Sequence, residues 1–252
     1  MCNLLKTSVI LTLVVTLSVA FSIQTDFLTE QKKFEKVRNS ITDKQVTIEK
    51  KLKVNNLDLG NFNILMVAYK DNDELEIYAK KKTEIIYKKL ISYDICYRSG
   101  QLGPKRKQGD YQVPEGFYYI NIFNPTSSYY LSLGINYPNL SDKRKSKAAD
   151  LGGNIFIHGS CVTIGCLPMT DDKIKEIYLY SVYAKNNGQS KIPVYVFPFK
   201  MTDQNMTTYQ AKYKDNKELI AFWSNLKIGY DTFMKDNGEL NISVAENGDY
   251  KY

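Results

Sequence analysis

The only histidine of the chain and two of its four cysteines lie in one stretch, Asn154 to Met169. The order is His158-Gly159-Ser160-Cys161, then Thr163-Ile164-Gly165-Cys166. A thiol near an imidazole can serve as nucleophile and base. The imidazole takes the thiol proton, sulfur attacks a carbonyl, and the imidazolium returns the proton to the leaving amine. Gly165 lets the backbone come close to a substrate and turn N–H groups toward an oxyanion. Cys166 also precedes a helix start at Thr170-Asp171-Asp172, whose positive end favours a thiolate. Two other readings use the same residues. His158, Cys161 and Cys166 offer three zinc ligands, but H-x2-C-x4-C lacks paired knuckles and no fourth ligand is evident, so no metal or other cofactor is expected. The structural alternative pairs Cys161 with Cys166, or Cys96 with either, and makes His158 a buried core residue.

The compartment bears on this choice. Lys6 precedes an apolar run, Val9 to Val19, and Ala20-Phe21-Ser22 offers small residues for cleavage. This reads as a secretory signal over residues 1–22, short for a membrane span but open to retention as an uncleaved anchor, and the only membrane contact expected. Export, to the periplasm, leaves Cys96, Cys161 and Cys166. An odd number implies one unpaired thiol, which an oxidising compartment tolerates only where it is buried or used. The net charge of +7 admits an anionic partner such as a wall polymer, with the basic segment Lys143 to Lys147 as its grip. Charges of both signs alternate through most of the chain, so a solvated lysine surface is the plainer reading. The lysine clusters are not interleaved with aromatics, which argues against a nucleic-acid groove.

Positioning such a site takes a scaffold of strands. Residues 31–53 carry Phe34, Val37, Ile41, Ile48 and Leu52 at helical spacing, giving a helical appendage over 23–60. Asn63 to Lys70 is an unbroken apolar run, suited to a buried strand. Further strands are expected at 75–78, 90–96, 117–123, 129–134, 154–157, 192–197 and 240–244. Tyr137 to Gly153 reads as a long polar loop bordering the site. Thr170 caps a helix closing at Gly188, and residues 209–235 read as a second helix. The class is α+β and mainly β, with the catalytic domain at 61–200 and an extension of it at 201–252.

The stretch resembles the YkuD-type L,D-transpeptidase catalytic domain, whose signature is His-Gly on one strand and a later [Ser/Thr]-x-Gly-Cys. The usual second histidine is Ile164 here, and the gap between the halves is short. Both departures fit a YafK-like branch with a compact I-H-G-x-C-x-[S/T]-x-G-C block. Ser99 to Pro104, Gly109-Asp110, Val113 to Phe117, Tyr137 to Asn139 and Phe197 to Thr202 also match in order. The resemblance implies a mixed β-sandwich or barrel, with Cys166 as nucleophile and His158 as acid/base. It implies that the Gly159 carbonyl orients the imidazole and that backbone N–H groups at Gly165 and Cys166, beside Thr163, hold the oxyanion. The expected substrate is the peptidoglycan stem peptide, attacked to give a thioester. An amine acceptor completes transpeptidation; water gives hydrolysis, including release of a wall-attached protein. A non-catalytic wall-binding protein is the contrasting reading.

Overall fold

The computed structural model describes residues 26–252, and the expected signal segment lies outside them. Strands β1 (Asn63–Tyr69), β2 (Glu74–Lys80), β3 (Lys88–Asp94), β4 (Gly116–Asn124), β5 (Ser132–Ile135), β6 (Phe156–His158), β7 (Leu167–Pro168) and β8 (Pro193–Phe197) form one curled sheet. Its order is β3-β2-β1-β8-β4-β5-β6-β7. Around it lie α1 (Phe27–Lys32), α2 (Glu35–Val54), α3 (Leu140–Lys145), α4 (Asp171–Asn186), α5 (Asp203–Lys212) and α6 (Lys217–Asp236). The fold class is α+β.

β1 runs antiparallel to β2 and parallel to β8. Ile64, Met66 and Ala68 pack into the core shared with α2 and α4. Leu65, Val67 and Tyr69 pack into the second core, with Trp223, Leu226 and Phe233 of α6. A strand buried on both faces has no reason to alternate apolar with polar, hence the unbroken run. β4 turns the corner of the sheet. Its first half pairs with β8, its second with β5, and the register shifts between Ile120 and Ile122. Such a bulge bends a strand and raises its twist. The two sheet edges, β3 and β7, thereby approach one another, and the Cys96 N–H donates to Pro168 O at 3.0 Å.

Several elements depart from the sequence expectation. The helix expected over 31–53 is broken after Lys32. A short α1 precedes it, capped by Asp26, which accepts from the Thr29 N–H at 2.7 Å. The helix expected over 209–235 is two helices. Thr202 caps α5, and Asn216 caps α6 by accepting from the Leu219 N–H at 3.0 Å. The polar segment 137–153 is not all loop. Asn139 and Asp142 form a reciprocal capping box that starts α3. The last strand shortens to β9 (Ser243–Val244), paired with β10 (Tyr250–Lys251). Arg144 donates to Val244 O and Ala245 O, and Lys145 pairs with Asp249. Two of the basic residues expected to face a polymer therefore hold the C-terminal hairpin instead.

Candidate active site

His158 ends β6, opposite Ser132 of β5 on one side and Pro168 of β7 on the other. Its carbonyl accepts from the Met169 N–H at 2.7 Å. The backbone is thus fixed on both flanks before the side chain makes any contact. The imidazole is 2% exposed, and Nδ1 meets Gly159 O at 2.5 Å. A carbonyl only accepts, so Nδ1 carries the proton and Nε2 is the free base. The Tyr129 ring lies against it, centroids 4.7 Å apart. Burial pushes the imidazole below its ordinary pKa, opposed by the Gly159 contact.

Gly159 is required by space. A Cβ there would meet Asp171 Oδ1 at 2.6 Å and Tyr129 O at 2.7 Å. Asp171 opens α4, and the same Oδ1 accepts from the Ser160 N–H at 2.9 Å. The start of α4 is therefore tied to the turn after His158, not to the cysteine.

The turn that ends at Cys166 is built on Thr163. Its Oγ1 accepts from the N–H groups of Gly165 at 3.2 Å and Cys166 at 2.7 Å, and donates to Cys166 O at 3.0 Å. Gly165 has φ of +133°, which side-chain-bearing residues rarely adopt, and a Cβ there would come 3.0 Å from Gln112 O. The Gly165 and Cys166 N–H groups, expected to face an oxyanion, donate to the Thr163 hydroxyl in the unliganded site.

Cys166 is a free, half-buried thiol. Its Sγ accepts from the Phe156 N–H at 3.4 Å and donates to Asn154 O at 3.6 Å. Burial pushes the thiol up; the Phe156 N–H and the Lys105 ammonium oppose this. The imidazole shifted down and the thiol shifted up each favour the uncharged form.

His158 and Cys166 line one open groove of about 460 Å³. Tyr129, Phe156, Val162 and Ile164 supply its apolar walls, and asparagines and serines the rest. Its lining holds no lysine, arginine, aspartate or glutamate. Phe156 and Tyr129 carry no sequence signal of their own; Phe156 reaches the site through its pairing with Gly134, and Tyr129 from the turn before β5.

Cys96 and Cys161 form a disulfide, Cα atoms 5.5 Å apart. This removes Cys161 from any zinc ligand set and excludes a Cys161–Cys166 pair.

The curled sheet, the His-Gly strand end and the Gly-Cys turn define a class. Residues 63–196 match the L,D-transpeptidase catalytic domain family, YkuD, and the chain belongs to that family. A particular relative is the provisionally assigned L,D-transpeptidase YafK of Escherichia coli (strain K12). It is 40% identical over 189 residues, spanning 74% of this chain and 72% of that protein. Among solved structures, the helical cell shape determining protein Pgp2 from Campylobacter jejuni is 17% identical, covering 74% of each chain at a TM-score of 0.44. Bd1075 of Bdellovibrio bacteriovorus is 21% identical, covering 68% of this chain and 62% of that one at 0.39.

Proposed function

We propose that the chain is a periplasmic L,D-transpeptidase, acting through Cys166 and His158 on peptidoglycan stem peptides. The observation that carries this is the Gly159 carbonyl on His158 Nδ1, which leaves Nε2 as base in the groove that Cys166 also lines. Family membership supplies the substrate class.

The chemistry starts from a neutral pair. Nε2 takes the Sγ proton as sulfur attacks the carbonyl of an L-configured stem residue. The tetrahedral intermediate collapses, the imidazolium protonates the leaving amine, and a thioester remains. An incoming amine, deprotonated by Nε2, completes transpeptidation. Water in its place gives hydrolysis.

The uncharged lining favours a second reading, hydrolytic release of a wall-attached protein. A leaving D-amino acid carries a carboxylate beside its amine and needs a cation to bind it. An amine on an aliphatic side chain brings no such charge and suits walls of tyrosine, phenylalanine, valine and isoleucine.

Mass spectrometry of sacculus digests treated with wild type and with Cys166→Ala separates the readings. New cross-linked dimers mean transfer; freed amines without dimers mean hydrolysis. Turnover by Cys166→Ala equal to wild type would falsify the mechanism. Salt-sensitive sacculus binding without turnover marks a non-catalytic wall-binding protein.

A further inference from the structure

No step of the acyl transfer uses the disulfide, yet it lies between acid/base and nucleophile. Cys161 sits in the connection 159–165, and its partner Cys96 is 65 residues away, just after β3. β3 and β7 are the two edges of the sheet. The bond, with the Cys96 N–H on Pro168 O, clips those edges together at the end that carries the site.

The connection has its own anchors at either end. Ser160 is tied to Asp171, and Thr163 to Cys166. Between them the Val162 N–H reaches only back to Ser160 O, inside the connection itself. Val162 and Ile164 are 54% and 75% exposed, so little packing fixes them, and both line the groove. The covalent tether at Cys161 is what remains to hold them.

We propose that the Cys96–Cys161 disulfide is a positioning element of the site. It holds the connection so that Val162 and Ile164 form the outer wall, against which the aliphatic part of the stem peptide or its amine partner lies. This rests on the acyl-transfer reading of the groove. The wall acts on binding; the Thr163 turn and the Gly159–His158 contact have hydrogen bonds of their own and keep the thiol chemistry.

The test measures binding without turnover. Calorimetry follows a disaccharide-tetrapeptide muropeptide binding to Cys166→Ala, before and after reduction with a phosphine. Reduction weakens binding about tenfold. The double variant Val162→Ser/Ile164→Ser, disulfide intact, loses a similar factor. In wild type, alkylation of Cys166 by iodoacetamide keeps its rate on reduction, to within about twofold. An unchanged dissociation constant on reduction overturns the proposal, as does absence of binding in both redox states. So does a parallel fall of alkylation rate and melting temperature, which makes the bond a staple of the fold. Cys166→Ala that binds while wild type shows no turnover sinks the enzymatic reading and leaves the redox comparison decisive for the wall.

Discussion

Thr163 and Cys166 are tied reciprocally: the hydroxyl of Thr163 accepts from the Cys166 N–H at 2.7 Å and donates to the Cys166 carbonyl at 3.0 Å. A side chain three residues upstream thus does for Cys166 what a helical turn does elsewhere. It satisfies both backbone groups of the cysteine and fixes where its Cβ emerges. The threonine of the motif acts here through its hydroxyl, on the backbone of the turn.

Thr163→Val tests that role. It keeps the shape and removes the hydroxyl, leaving the Gly165 and Cys166 N–H groups without their acceptor. Each such loss costs about 1–3 kcal/mol, equivalent to about 5- to 150-fold in rate where it falls on the transition state. Steady-state turnover should fall by that factor, and Thr163→Ser should recover most of it. Equal turnover in the valine variant would remove the hydroxyl from the site.

Gly159→Ala should be as damaging as loss of a catalytic side chain, although glycine has none. The added methyl meets a carboxylate oxygen at 2.6 Å and a backbone carbonyl at 2.7 Å. That carboxylate is already held by the Ser160 N–H. Relief requires the 158–160 turn to move, which takes Gly159 O away from Nδ1. The expected result is a loss of kcat of about 100-fold, with overpacking lowering stability by about 1–3 kcal/mol. A circular-dichroism melt beside the kinetics separates the two effects.

The site is legible in the sequence to the extent that its chemistry is local. His158-Gly159 and Thr163-x-Gly165-Cys166 are contiguous motifs, and both fall on one groove because β6 and β7 are neighbours in the sheet. The β1 run and the Thr170-capped helix are legible for a similar reason: each pattern is long and one force dominates it. What escapes is what depends on distant partners. Nothing near Cys96 announces Cys161, since the pairing follows from closure of the sheet and not from spacing. The helix breaks at 33–34 and 213–216 escape because amphipathic spacing continues across them, while Arg38 donates back to Lys32 O and Lys33 O at the first and Asn216 caps α6 at the second. The Thr163 hydroxyl on the Gly165 and Cys166 N–H groups escapes too, because sequence shows which N–H groups a turn carries, not which hydroxyl reaches them.

A buried ion pair behind the nucleophile turn offers a test of how the scaffold holds it. Lys70 Nζ contacts Glu115 Oε1 at 2.9 Å and two carbonyls, Gly103 O and Val113 O. Glu115 Oε2 accepts from Trp223 Nε1 at 2.9 Å. The cluster joins β1, α6 and the segment whose Gln112 carbonyl backs Gly165. Burial lowers the Lys70 pKa, opposed by Glu115. Glu115→Ala strands a buried ammonium at a cost of about 3–5 kcal/mol, or about 10 °C in Tm at roughly 2–4 °C per kcal/mol. The loss should shrink at alkaline pH. A folded pKa below the unfolded one means the folded chain releases its lysine proton first, so stability recovers as pH rises toward the ordinary lysine value. A pH-independent loss of Tm would show that Lys70 is not the group left stranded.

The neutral resting pair sets the pH profile. His158 is shifted down by burial, and only its unprotonated form can take the thiol proton. The acid limb of kcat/KM should therefore have its midpoint below the ordinary imidazole value of about 6.5, with the plateau reached by neutral pH. Cys166 is shifted up, so the thiol still has a proton to give across that plateau. The same shift carries a stability sign. Below the ordinary value the unfolded chain binds the histidine proton and the folded chain resists it, so stability falls as pH drops from there through the folded pKa. Tyr129→Ala, which strips the ring lying 4.7 Å from the imidazole, should let water in and move the acid limb back up. Iodoacetamide gives the sharpest discrimination. A neutral thiol alkylates slowly at pH 5 and faster as pH rises. A thiolate–imidazolium pair alkylates nearly as fast at pH 5 as at pH 8, and that outcome would overturn the neutral-pair mechanism.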